Sequence, residues 1–305
     1  VTGVLDGFAT IGILIALGVL LAQLGIIDAA GRRTLSTLAF YVASPALLVT
    51  VLQDTDVSAI FSTGLVAMVV AVLVSSAIFG VVALLRREEL GAAVVGTLCS
   101  AYANAGNLGL PIAAYALGDP ASVAPLLLLQ LLFLQPLALT LLDVATSPTR
   151  LPVGRILARP VTNPITVGSL LGLVLSLTGV RLPHAIGDPL DLVAGMAVPC
   201  MLLAYGVSLR LGPLPGRGVP PAELGLVVGL KMVVQPLVAY AVGRLLGLDD
   251  QMLLTVTVLA ALPTAQNVYV IASRYERAAL LARDSIFIST ILSVPVILVA
   301  AVLLA

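Results

Sequence analysis

The chain has 305 residues, 60% of them hydrophobic and only 10% charged, with a mean hydropathy of +1.17. A water-soluble fold of this length cannot cover that much apolar side chain, and soluble domains carry about 25% charge, so the composition excludes a soluble protein and reads as an integral membrane protein. The formal net charge of 0 gives no sign of nucleic acid or an acidic partner, and no alternating strand pattern supports a β-barrel.

A spanning helix needs about 20 largely apolar residues. Taken in chain order, that ruler marks ten segments: 4–26, 34–52, 58–84, 90–117, 121–144, 163–180, 190–209, 222–245, 251–273 and 284–304. The first has no basic n-region and no small-residue cleavage site, so it reads as a span and not a signal peptide. The second contains FYVASPALLVTVL, with Pro45 in its interior. The fourth contains AYANAGNLGLP, which places poor helix formers and two amides inside an apolar run. Between the fifth and sixth lies TSPTRLPVGRILARPVTNP, the longest connection, which divides the chain nearly in half. The seventh contains GMAVPCMLLAYGV, with Pro199 in its interior, and the ninth contains ALPTAQN, residues 261–267. Cys99 and Cys200 each lie in an apolar run and read as small buried hydrophobes.

Basic residues set the orientation. Alternate loops hold Arg32 and Arg33; Arg86 and Arg87; Arg150, Arg155 and Arg159; Arg210 and Arg217; and Arg274, Arg277 and Arg283. The opposite loops hold Arg181 and Arg244, a split of twelve against two. The rich set belongs in the cytoplasm, so both termini are expected outside. The halves also match in order. Pro45 to Pro111 is 66 residues and Pro199 to Pro263 is 64. The expected fold is all-α and polytopic: ten transmembrane helices as two inverted five-helix repeats, with broken, crossing helices 4 and 9. Residues 1–145 form the first repeat, 146–162 a cytoplasmic linker, and 163–305 the second.

The two breaks carry the functional reading. Free backbone groups are prohibitive in lipid unless buried in protein or facing water. Broken helices at matching places in inverted repeats meet near the midplane and form the ligand site of many secondary transporters. Gly106 and Gly109 permit a turn and close backbone approach. Asn104, Asn107, Thr264, Gln266 and Asn267 supply donors and acceptors. Pro45, Pro111, Pro199 and Pro263 are the hinge candidates. Glycine and asparagine also join membrane helices by simple packing, but two clusters in matching positions favour a site.

Lys231, in GLVVGLKMVVQPLVAY, lies about 15 Å into the eighth segment. An ionisable residue that deep is functional by default, with snorkelling as the alternative. No deep carboxylate pairs with it by sequence. It can attract an anion, take the place of a sodium ion, or exchange a proton. Gln235 shares its face one turn on. Gln130, Gln135, Tyr102, Tyr115, Tyr269, Tyr205 and Ser208 read as packing or interface residues, and Arg274 with Tyr275 as an anchor. His184 in an outer loop is too isolated to indicate a metal.

NAGNLGLPIAAYALGD and ALPTAQNVYVIASRYE resemble the paired signatures of the auxin efflux carrier family, which includes plant auxin exporters and bacterial permeases named for malate or malonate. FYVASPALL, NPITVGSLLGLVLSLTGVRLP and RDSIFISTILSVPVI agree, so the likeness covers nearly the whole chain. It implies ten helices in two inverted repeats, a fold related to bile-acid sodium symporters, and a substrate site where helices 4 and 9 unwind. By that motif Asn107 and Pro111 fall in the first crossover, and Pro263 and Asn267 in the second. The long cytoplasmic loop of many plant members is absent.

The expected function is secondary transport of a small organic anion by alternating access, in a cell membrane, with no cofactor. A sodium-coupled symporter of the bile-acid type is the alternative. No paired deep carboxylates, metal cluster or activated nucleophile supports an enzyme. The expected partners are the anion, the lipid bilayer, and a proton or sodium as coupling ion. Nucleic acid is not among them, and the sequence allows a homodimer.

Overall fold

The computed structural model describes residues 2–54, 63–109, 112–113, 117–147 and 163–304. Pro111, Tyr115 and the linker arginines Arg150, Arg155 and Arg159 lie outside the described residues, as does the side chain of Asn107.

Helices make up almost all of it. They are α1 (Thr2–Gln23), α2 (Ala29–Gln53), α3 (Thr63–Leu85), α4 (Leu90–Ala101), α5 (Ala124–Thr146), α6 (Pro164–Thr178), α7 (His184–Leu211), α8 (Pro221–Leu245), α9 (Asp250–Ala260), α10 (Gln266–Tyr275) and α11 (Ala279–Leu304). Among the described residues six of these, α2, α3, α5, α7, α8 and α11, are long and apolar enough to cross a membrane by themselves. Side-chain caps start several helices: Asp28 accepts from the Gly31 N–H at 2.8 Å, Asp249 from Met252 at 2.8 Å, and Asn163 from Ile165 at 3.1 Å, followed by Pro164 at the first helical position. Gly179 ends α6 in the left-handed conformation, φ 67°.

Exposure runs opposite to that of a soluble protein. Leu85 and Val302 are 77% and 81% exposed on the outer surface, while Ser75, Ser100, Ser285, Ser289 and Ser293 are buried within the bundle. Lipid covers the first set, and helix–helix contacts with backbone hydrogen bonds accommodate much of the second. The chain is a multi-pass membrane protein.

Three prolines leave the same signature. Pro45, Pro136 and Pro236 lack an N–H, so the carbonyl four residues back loses its helical donor. In each helix the turn just before widens to a π turn, closed by Ser44 N–H to Ala39 O, Gln135 N–H to Gln130 O, and Gln235 N–H to Leu230 O. Pro199 differs. The break in α7 is the turn at Gly195–Met196, and Pro199 sits in the first helical turn after it, where a missing N–H matters least.

Packing sorts the helices into two groups. In the first, α1 lies along α7, and α2 lies against α6 and α7. Gly18 and Gly206 let the α1 and α7 backbones touch: a Cβ on Gly206 would stand 2.1 Å from the Ile15 carbonyl oxygen. Gly168 and Gly172, spaced as a GxxxG pair, do the same for α6 against α2, where Gly168 faces the carbonyl of Pro45. In the second group α3, α4, α5, α8, α9 and α11 pack on one another, with α10 against α11.

One sequence expectation is corrected. Arg283 is not a loop residue. Helix α11 begins at Ala279, and Arg283 is buried on it with its Nε 2.6 Å from the Asp284 carboxylate. Asp284 also accepts from the Gly216 N–H at 2.8 Å, so the pair is neutralised inside the protein and fastens the 212–220 connection. Cys99 and Cys200 are free and buried.

Candidate functional site

Helix α4 stops at Ala101 because Tyr102 turns extended (φ −86°, ψ 108°), and α9 stops at Ala260 ahead of Pro263, whose ring cannot continue a helix. The two frayed segments then cross and satisfy each other. Ala103 and Thr264 form an antiparallel bridge. The Asn104 N–H donates to the Pro263 carbonyl at 2.8 Å, and the Ala265 N–H to the Tyr102 carbonyl at 3.2 Å. Thr264 adds two bonds: its hydroxyl donates to the Cys99 carbonyl at 2.8 Å, and its N–H to Ser289 Oγ at 3.1 Å. Two stretches of non-helical backbone are thereby held at the centre of the bundle by protein groups alone, as a membrane interior requires.

The half-helix ends have their own partners. Lys231 Nζ donates to the Ala260 carbonyl at 2.8 Å, the C-terminus of α9. Gln235 Nε2 donates to the Ala101 carbonyl at 3.1 Å, the C-terminus of α4. Both side chains come from the π turn of α8 and its exit, and both are buried, Lys231 to 0% exposure. An ammonium on a helix C-terminus meets the negative end of the helix dipole.

Beside the crossing lies a cavity of about 300 Å³. The first helix group contributes Ser44, Leu48 and Met201 among others. The second contributes Tyr102, Asn104, Gly106, Gln130, Gln135, Gln266 and Asn267. The site therefore lies between the two groups. Its polar wall is a connected network. Asn104 Nδ2 donates to Gln266 Oε1 at 2.7 Å. Gln135 Oε1 accepts from both the Tyr102 hydroxyl at 2.7 Å and Asn267 Nδ2 at 3.1 Å. On the wall, Gln130 Nε2 and Asn267 Oδ1 are buried with no hydrogen-bond partner among the described residues. Such groups in a native cavity call for a ligand or water.

The sequence candidates therefore divide. Asn104, Gly106, Gln266 and Asn267 converge on the cavity. Thr264, Pro263 and Lys231 lie behind it and hold the crossing. Gly109 is packed away from it, where a Cβ would stand 2.9 Å from Val123 Cγ2. Gln130, Gln135 and Tyr102 read as packing residues in the sequence, yet they line the cavity. Five residues on an ordinary α-helix point about 140° apart. The π turn at 130–134 closes that angle and brings Gln130 and Gln135 to one face. Gln-x-x-x-x-Gln-Pro was the available signal. Among the described residues no group of three or more His, Cys, Asp or Glu side chains gathers to hold a metal.

A cavity walled by amides, at the crossing of two unwound segments inside a multi-pass bundle, has the shape of a solute site. The family model described as "Membrane transport protein" matches residues 4–142 and 149–301. The chain belongs to that family. Membrane transport proteins similar to it include the "Putative malonate transporter" of Rhizobium meliloti, 30% identical over 291 residues, covering 92% of this chain and 89% of that protein. An "Uncharacterized transporter" of Methanothermobacter thermautotrophicus is 31% identical over 290 residues and covers 92% of each. As a membrane transport protein the chain moves a solute and is not an enzyme, and the cavity beside the crossing is the candidate place where that solute binds.

Proposed function

We propose that the protein is a secondary carrier of a small carboxylate, bound in the cavity between the two helix groups and released on alternate sides as one group moves against the other. The observation that carries this reading is that buried amide atoms of Gln130 and Asn267, in a cavity formed by both groups, have no partner among the described residues. Amide N–H groups such as that of Gln130 donate to a carboxylate, and the open wall of Asn267 adds an acceptor for a protonated or hydroxyl-bearing edge. A rigid crossing next to a cavity between two packed bodies is the geometry alternating access needs.

The same reading holds the chain as ten spans in two inverted repeats, residues 1–145 and 163–305 joined by 146–162, with both termini outside the cell membrane. Lys231 supplies in it the fixed positive charge that a sodium ion supplies in sodium-coupled carriers. It acts from behind the cavity, through the carboxyl end of α9, and no sodium is required. The deciding experiment is uptake of labelled malonate into liposomes holding the purified protein, with and without sodium. Saturable uptake independent of sodium is expected. Sodium-dependent uptake would select the symporter reading instead. No uptake of malonate or of other small carboxylates would overturn the carboxylate reading.

A further inference from the structure

A second cavity, of about 800 Å³, opens at the basic end of the bundle between α2 and the α10–α11 corner. Arg32, Arg33 and Arg274 line it, together with Glu223 and Glu276. Topology alone explains basic residues at this end. It does not explain how they are held. Arg277 and Arg283 are paired with the carboxylates of Glu89 and Asp284. Arg32 and Arg274 are held instead by phenols. Arg32 donates to the Tyr269 hydroxyl at 2.6 Å, and Arg274 Nε donates to the Tyr41 hydroxyl at 2.6 Å while its guanidinium lies 5.2 Å from the centre of that ring. Among the described residues neither has a carboxylate within ion-pair distance. The hydroxyl of Ser273, on the same wall, is buried with no hydrogen-bond partner among the described residues.

The two contacts are reciprocal. Arg32 and Tyr41 belong to α2, in the first helix group; Tyr269 and Arg274 belong to α10, in the second. Each group offers the other one arginine and one phenol. Helix α10 also joins the two cavities, since Asn267 near its start lines the first and Arg274 near its end lines the second. Seven residues of helix separate them, about 10 Å.

We propose that this cavity is a second anion site, where a small dicarboxylate takes Arg32 and Arg274 from the phenols of Tyr269 and Tyr41 and so unlatches the two helix groups. The physical reason is bond number and charge. An arginine forks onto a carboxylate with two parallel charge-assisted bonds, where a phenol accepts one. The incoming anion gains most by breaking the contacts that tie α2 to α10. The inference rests on the carrier reading for its ligand, and its test is separable from it.

Malonate binding is measured by calorimetry on the protein in phosphatidylcholine nanodiscs. Two binding events are expected. Asn267→Ala should weaken one, and Arg32→Gln with Arg274→Gln should weaken the other by about tenfold or more. Tyr41→Phe with Tyr269→Phe keeps both arginines and removes their competitors. It should strengthen the second event severalfold and raise amide exchange in residues 29–41 and 266–275 without ligand. Malonate should raise that exchange in the wild type and not in the arginine variant. A single event insensitive to the arginines, or phenylalanine variants identical to wild type in binding and exchange, would overturn the proposal. Loss of the second event in phosphatidylglycerol nanodiscs would give the site to a lipid headgroup and also overturn it. Should Asn267→Ala leave binding and uptake unchanged while the arginine variants lose one event, the central cavity fails as the carrier site and the latch site stands.

Discussion

Asn104 and Gln266, 162 residues apart in the chain, are joined by a 2.7 Å side-chain hydrogen bond at the centre of the bundle. Each stands at the edge of one broken helix. Removing one partner leaves the other buried and short of a bond, at about 1–3 kcal/mol. Asn104→Ala and Gln266→Ala should each lower stability in detergent by that amount. The double variant should lose less than the sum, by about 0.5–3 kcal/mol. Strict additivity in denaturant titrations would show that the two amides do not act together.

Gln130 offers a sharper test, because it is 1% exposed and its Nε2 has no hydrogen-bond partner among the described residues. An unsatisfied buried amide weakens the fold, and an apolar side chain of similar size relieves that cost. Gln130→Leu should therefore raise the unfolding temperature and at the same time weaken malonate binding. Asn267→Ala should weaken binding by roughly five- to 150-fold, the equivalent of one buried hydrogen bond. A Gln130→Leu protein that binds as tightly as wild type would remove this residue from the site.

Lys231→Met keeps length and apolar packing while deleting the charge and the bond to the Ala260 carbonyl. Malonate binding by the Met variant should fall by tenfold or more, and wild-type binding should not change with sodium because none is used. Titration of both proteins with malonate, at zero and at high sodium, reads both outcomes. Normal binding by the Met variant would assign the lysine a purely structural part.

Gly206 faces the α1 backbone at a distance no side chain tolerates. Gly206→Val should separate α1 from α7 and destabilise the protein by about 1–3 kcal/mol or more. Gly225, with nothing within 4 Å of an added Cβ, serves as control, and Gly225→Ala should be near neutral. Thermal unfolding of the two variants side by side decides it.

Cysteines introduced at residues 2 and 304 should react with a membrane-impermeant thiol reagent added outside intact cells, in a background where Cys99 and Cys200 are buried. Protection of the first would reverse the orientation read from the arginines.

Much of the fold was legible because a membrane reduces the problem to length and apolarity. The stretches 101–111 and 261–267 stand out by residues no lipid-facing helix keeps. Their mutual pairing was less legible, since backbone bonds such as Asn104 to Pro263 have no side-chain signature. The place of Arg283 is not legible, because a buried ion pair looks the same in sequence as a charged loop. Gln130 and Gln135 do not read as partners because α-helical spacing sets them on different faces; only the register change ahead of Pro136 unites them. The partner of Lys231 was invisible for a related reason: it is a main-chain carbonyl, present at every residue.

The π turns bear on how this family can vary in length. Each behaves as one residue more than an α-helix would hold, lodged beside a proline. Deleting a single residue between Gln130 and Gln135 would return that turn to α geometry and leave the two glutamines four positions apart, still on one face of the helix. Gln130 would stay at the cavity, whereas the same deletion in a regular stretch of helix would swing everything upstream by about 100°. A relative aligned with a one-residue gap at this turn should thus be expected to keep the same amide wall and lose only the widened turn, while a gap elsewhere in the helix would turn one of the two glutamines away.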